Sequence, residues 1–147
     1  MGSGRQGFCL SPGPGLGRPF GDHSDLDLTA IRESLFQRLE TSFVRWEADY
    51  AGGRVTPRYG HERRLWEANK TSVPSALARG FVDPHKIPTW PRYPEAQTIA
   101  QVLYEAHEKL KATPDAPAVR KLSIRVYRDW DCFIRQMAIN LEAAAGR

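Results

Sequence analysis

The sequence predicts an α/β fold of the α+β kind, in which helices cover a small mixed sheet and the C-terminal part is helix-rich. Three observations predict it. The chain has 147 residues, the length of one ordinary domain, and its 41% hydrophobic and 26% charged residues are those of an average globular protein. Two short stretches, 25–31 and 121–128, alternate apolar and polar residues with the period of a half-buried strand. Between and after them, apolar residues recur at steps of three and four, the period of a helix packed on one side. Two strands alone make no stable sheet, so the sheet must lean heavily on its helices.

In chain order, seven of the 12 glycines and three prolines fall within residues 1–21, which predicts a loop because neither residue type sustains regular structure. From Asp25 the strand alternates Leu26, Leu28 and Ala30 with Asp25, Asp27 and Thr29. A helix follows over about 32–50, with Ile31, Leu35, Leu39, Phe43, Trp46 and Tyr50 on one face, and Gly52-Gly53 stops it. Residues 59–78 read as a helix bent or split at Pro74, with Gly80 as its C-terminal cap. Four prolines make 81–94 a loop, and Pro94 opens a helix to about 111 with Ile99, Val102, Leu103, Ala106 and Leu110 inward. A turn at 113–117 leads to the second strand, which alternates Leu122, Ile124 and Val126 with Ser123, Arg125 and Tyr127. Asp129 caps a last helix, about 129–145, with Trp130, Phe133, Ile134, Met137 and Leu141 inward. The whole chain reads as one domain, 1–147, made of a Gly-rich loop and Asp-x-Asp strand (1–31) followed by a mainly helical part (32–147).

Composition excludes several classes. No apolar run reaches the ~20 residues of a membrane span, and the Gly/Pro-rich start has no apolar core of a secretory signal. Cys9 and Cys132 make neither a disulfide framework nor a metal pair, which favours free thiols and a cytoplasmic setting. The 21 basic residues (16 Arg, 5 Lys) against 17 acidic ones leave a net charge of +4, too small to imply nucleic-acid binding by itself.

Asp25 and Asp27 carry the chemistry. At i and i+2 on a strand their carboxylates share a face about 7 Å apart. Two acids held so close must share a cation, take up a proton or face water. Oxygen pairs of this kind suit Mg²⁺, which takes one or two carboxylates together with substrate phosphates. An isolated Asp-x-Asp is also what a solvated strand face carries.

The surrounding order is more specific. Gly2-Ser3, then Arg5 and Gly7, a glycine-rich loop, and Ser24-Asp25-Leu26-Asp27-Leu28 together resemble the signature of the polymerase-beta-like nucleotidyltransferase superfamily. The longer pattern, with Phe20-Gly-Asp-His before Ser24 and the later Arg125-Val-Tyr-Arg-Asp-Trp, resembles a bacterial branch of predicted nucleotidyltransferases without an assigned substrate. The resemblance implies that Gly2, Ser3 and Arg5 bind the nucleotide, while Asp25 and Asp27 are the catalytic residues and metal ligands for Mg²⁺ or Mn²⁺. The activity implied is transfer of a nucleoside monophosphate from an NTP to a hydroxyl of a protein, small molecule or RNA. Helix N-terminal amides favour anions, and paired metals stabilise the attacking and leaving oxygens of phosphoryl transfer.

Three departures bear on this. The gap from Ser3 to Asp25 is about twice the family's, so 10–21 reads as an inserted loop. Gly-Ser directly follows Met1, whereas the family has a helix and a strand before it, so the sequence reads as a domain lacking those elements. Active members carry a further carboxylate on a later strand, and the strand at 121–128 has none. A catalytically degenerate relative, an interaction or antitoxin-type regulatory protein with a protein partner, is the alternative. A basic RNA-binding helical domain is a third reading, motivated by Arg54, Arg58, Arg63, Arg64 and Lys70 beside Tyr59 and Trp66, which equally describe a solvated helix with a core tryptophan. Arg120, Lys121, Arg125 and Arg128 form a second basic cluster, and Arg125 would either grip a triphosphate or neutralise the aspartates. His23 stands ready to contact metal or nucleotide, or simply water.

Overall fold

The computed structural model describes residues 8–10, 25–57, 60–88, 93–116 and 118–146. In chain order come β1 (Phe8–Leu10), β2 (Asp25–Ile31), α1 (Glu33–Ala51), α2 (Gly60–Asn69), α3 (Ser72–Ala78), β3 (Phe81–Val82), a 3-10 turn (Pro84–Lys86), α4 (Pro94–Ala112), β4 (Lys121–Tyr127) and α5 (Trp130–Ala145). The described strands form one mixed sheet in the order β1-β2-β4-β3. The fold is therefore α+β, as the periodicity predicts. At the centre β2 and β4 run parallel, in unbroken register from Asp25 opposite Lys121 to Ile31 opposite Tyr127. Parallel neighbours need a long crossover, and α1 to α4 provide it. β1 and β3 add antiparallel edges on either side.

Both edge strands depart from expectation. β1 lies inside the segment expected to be a Gly/Pro loop, and β3 inside the one expected to be a proline-rich loop. Strands of 3 and 2 residues are too short to display an alternation, and they owe their form to the ladder beside them. The helix expected over 59–78 divides at residues 70–71 rather than at Pro74. Pro74 sits in the first turn of α3, where its missing N–H has no intrahelical partner to lose.

The two sheet faces carry different cores. Leu28, Ala30, Ile124, Val126 and Val82 turn one way and meet Phe36, Leu39, Phe43 and Trp46 of α1, Val73 and Leu77 of α3, and Ala96 and Ile99 of α4. Ile31, Tyr127 and Phe81 turn the other way and meet Ala76 and the α5 side chains Cys132 and Phe133. Ile31, expected on the α1 face, thus belongs to the second core as the last residue of β2. Val102 of α4, expected inward, is 56% exposed.

The inward face of α5 also differs from the expected one. Cys132 and Gln136 are buried, whereas Trp130, Ile134 and Leu141 face water. Close packing explains the rotation: a Cβ at Gly80 would lie 2.8 Å from the Cys132 Cβ and closer still to its sulfur, so α5 sits down on the glycine. Gly80 also takes φ +85, a conformation L side chains disfavour, in the turn from α3 into β3. Asp129 caps α5 as expected, its carboxylate accepting from the Cys132 N–H at 2.8 Å. Among the described residues, no helix is long and apolar enough to cross a membrane.

Candidate functional site

Burial along β2 runs from exposed Asp25 to fully covered Ile31, and β4 shows the same gradient. Both parallel strands therefore start at an open end of the sheet and finish under α5. Alternation places Asp25, Asp27 and Thr29 on the α5 face, and the in-register pairing sets Lys121, Ser123 and Arg125 beside them. Antiparallel β3 has Phe81 opposite Tyr127, so Asp83, two residues on, comes to the same face near Arg125.

Every carboxylate in this row has a partner from β4 or its approach. Arg120 grips Asp25 with both arms, Nε to Oδ1 at 3.0 Å and Nη2 to Oδ2 at 2.9 Å. These hydrogen bonds, helped by the charges of Arg120 and Lys121, hold the Asp25 carboxyl below its usual range. The Ser123 hydroxyl donates to Asp27 Oδ1 at 2.5 Å. Arg125 grips Asp83 in the same two-armed way, Nε to Oδ1 at 2.7 Å and Nη2 to Oδ2 at 3.0 Å, and Lys86 Nζ stands 3.6 Å from Oδ2. Burial pushes the Asp83 carboxyl up, but the Arg125 hydrogen bonds and charge outweigh it and leave the group below its usual value. The Arg125 guanidinium also lies 4.3 Å from the centre of the Phe81 ring, a cation–π contact that fixes its plane.

Asp27, Asp83, His85, Ser123, Arg125 and the α5 residue Asn140 line a polar cleft of about 260 Å³. A larger groove, about 510 Å³, lies elsewhere between α1 and α3 and is lined by Phe43, Val44, Pro74 and Leu77 with surface charges. Its charged residues Glu40, Arg45 and Glu47 form no ion pair among the described residues, whereas the cleft holds the Asp83–Arg125 pair beside Asp27, so the cleft is the candidate site.

The predicted residues fare differently. Asp25 and Asp27 share the open face as the alternation requires. Gly2, Ser3, Arg5 and His23 lie outside the described residues. The second basic cluster does not act as one patch: Arg120 serves Asp25, Arg125 serves Asp83, and Arg128 serves Asp129 and the Cys132 sulfur. Arg125 does point to the aspartate face, but its fork is taken up by Asp83. Trp66 packs on Phe43, Trp46 and Tyr50, and Lys70 pairs with Glu67 in solvent, while Arg58 and Tyr59 of the same basic stretch lie outside the described residues.

Asp83 and Ser123 join the site without standing among the residues expected from the sequence. The signal for Asp83 was a Phe-Val-Asp triplet, too short to read as a strand with an acid at its end. Among the described residues, no group of three or more His, Cys, Asp or Glu side chains converges to hold a metal ion. No family model matches the chain, and neither a curated protein nor a solved structure does.

Proposed function

We propose that the protein is a metal-dependent nucleotidyltransferase, moving a nucleoside monophosphate from an NTP to a hydroxyl acceptor. The observation that carries the reading is the placement of Asp25 and Asp27 on one face, at the open end of a parallel strand pair, beside a polar cleft holding Arg125. Their donor set fits a hard divalent ion. It is all oxygen, Asp27 is engaged by the described residues only through Oδ1, and the Arg120 pair on Asp25 is solvent-exposed. An exposed pair of that kind contributes little net stability and yields readily to a stronger charge. Asp25 and Asp27 would hold Mg²⁺ or Mn²⁺, and the ion would supply charge stabilisation to the phosphoryl group. Ser123 fixes the Asp27 rotamer, Asp83 orients Arg125, and Asn140 offers neutral polar contacts on the opposite wall.

A degenerate member of the same fold, acting through a protein partner, is the second reading. One observation favours it: β4 presents Ser123 and Arg125 to the aspartates and no carboxylate, while Arg120 occupies both Asp25 oxygens. One experiment separates the two. The chain is incubated with α-labelled ATP, GTP, CTP and UTP plus Mg²⁺ or Mn²⁺, beside Asp25→Asn and Asp27→Asn variants. Label transfer that disappears in both variants supports the transferase. Transfer that survives them removes it, and absent transfer together with absent Mn²⁺ binding by paramagnetic resonance establishes the degenerate reading.

A further inference from the structure

The wall that α5 gives the cleft is made by Met137 and Asn140, three residues apart and so on one face of the helix. Asn140 ends a chain of hydrogen bonds that starts outside the cleft. Arg79 Nη1 donates to Gln136 Oε1 at 3.4 Å, and Gln136 Nε2 donates to Asn140 Oδ1 at 3.0 Å. A guanidinium has donors only, so the first member fixes the sense of the whole chain. Gln136, 7% exposed, must turn its oxygen to Arg79 and its amino group to Asn140. Asn140 then spends its oxygen on Gln136. Its Nδ2 amino group, without a partner among the described residues, is the end it offers the cleft.

Other polar groups of the cleft set no such preference. The Arg125 fork is engaged by Asp83, and the Ser123 hydroxyl by Asp27. The His85 ring can donate from one nitrogen and accept at the other. The α5 wall does not suit a phosphate, which calls for charged donors, because neither Met137 nor Asn140 is charged. A flexible thioether beside a neutral amide suits a nucleobase, which has a flat aromatic face for the sulfur and polar atoms at its edge. At about 260 Å³ the cleft is smaller than the ~300–1,000 Å³ of pockets that enclose a whole drug-sized ligand. It therefore takes one moiety, with the phosphates toward the open end where Asp25 stands. Resting on the nucleotidyltransferase reading, we propose that Asn140 selects the nucleotide by its base, donating from Nδ2 to an exocyclic oxygen. The keto bases uracil and guanine are then preferred to cytosine and adenine, which carry an amino group in that place.

The test is isothermal titration of the full chain with UTP, CTP, GTP and ATP in the presence of Mn²⁺, read as the affinity ratios of UTP to CTP and of GTP to ATP. Wild type is expected to bind the keto nucleotide about tenfold tighter in each pair, the worth of one hydrogen bond. Asn140→Leu, at an exposed position, is expected to bring both ratios close to one. Asn140→Asp, which presents acceptors only, is expected to invert them. Gln136→Glu should invert them from outside the cleft lining. It still accepts from Arg79 but cannot donate, so Asn140 must turn its amino group to it and present Oδ1 to the cleft. A side chain that only supported the fold would weaken all four nucleotides alike and leave the ratios unmoved. Equal binding of all four by wild type, or a keto preference that survives in Asn140→Leu and Asn140→Asp, would overturn the selection by Asn140 and leave the transferase reading standing. Wild type that binds none of the four would overturn both.

Discussion

Removing the Asp83 carboxylate tests most directly how this sheet face is held together. Asp83 is 8% exposed and receives two charge-assisted hydrogen bonds from Arg125 at 2.7 and 3.0 Å. Asp83→Ala leaves the Arg125 guanidinium in the cleft wall without its anion. Breaking a fully buried pair in this way costs about 3–5 kcal/mol. Here the Arg125 side chain retains 35% exposure, and water recovers part of that loss. The expected destabilisation is therefore about 2–3 kcal/mol. For a chain of this size that lowers Tm by roughly 4–12 °C. Urea unfolding followed by circular dichroism measures it directly, and Asp83→Ala/Arg125→Met removes the orphaned charge and should recover much of the loss. The pair also has a pH signature. Its carboxyl titrates below its usual value of 3.8 in the folded state, so its stabilisation is complete above that value and is lost as pH falls through the lowered one. Wild type should lose more stability across this range than Asp83→Ala, whose remaining acid limb comes from the other carboxylates held below their ordinary range, Asp25 and Asp129 among them. A change under about 0.5 kcal/mol, the range of ordinary surface substitutions, or an acid limb of equal size in both proteins, would overturn this account of the pair.

Two further outcomes follow from the same geometry. Arg120→Ala should return the Asp25 carboxyl toward its ordinary range, visible by carbon-detected NMR titration, and should tighten Mn²⁺ binding at the Asp25–Asp27 face because the competing guanidinium is gone. Unchanged Mn²⁺ affinity would show that the ion does not use Asp25. Gly80→Ala should destabilise the protein by about 1–3 kcal/mol through overpacking alone, since the new methyl runs into the Cys132 side chain and the backbone holds φ +85. Wild-type stability in urea would mean that α5 can lift off the turn without loss.

The site was legible only in part. Asp25 and Asp27 stood out because alternation fixes which side chains share a strand face, whatever the strand pairs with. Their partners did not, because Arg120 and Ser123 lie 95 and 96 residues further along the chain and meet them only through the β2–β4 register. Arg125 was recognisable as a basic residue beside the acids, but the anion it serves comes from the end of an edge strand of two residues. The apolar stripe of α5 was legible as well, yet it points to water rather than to the core, since spacing reveals that apolar residues share a face but not which way the face turns.

By itself the sequence determined the α+β class, the two central strands, the long helices with their Asp129 and Gly80 boundaries, and the shared face of Asp25 and Asp27. These depend on periodicity and on the conformational preferences of single residues, which act over a few positions of the chain. Tertiary structure alone decided the edge strands β1 and β3, the pairing of each acid with its own partner, and the rotation of α5 that buries Cys132 and leaves Ile134 and Leu141 in water. Each of these is set by the register between distant segments and by close packing, where one glycine beneath a helix decides which face turns inward.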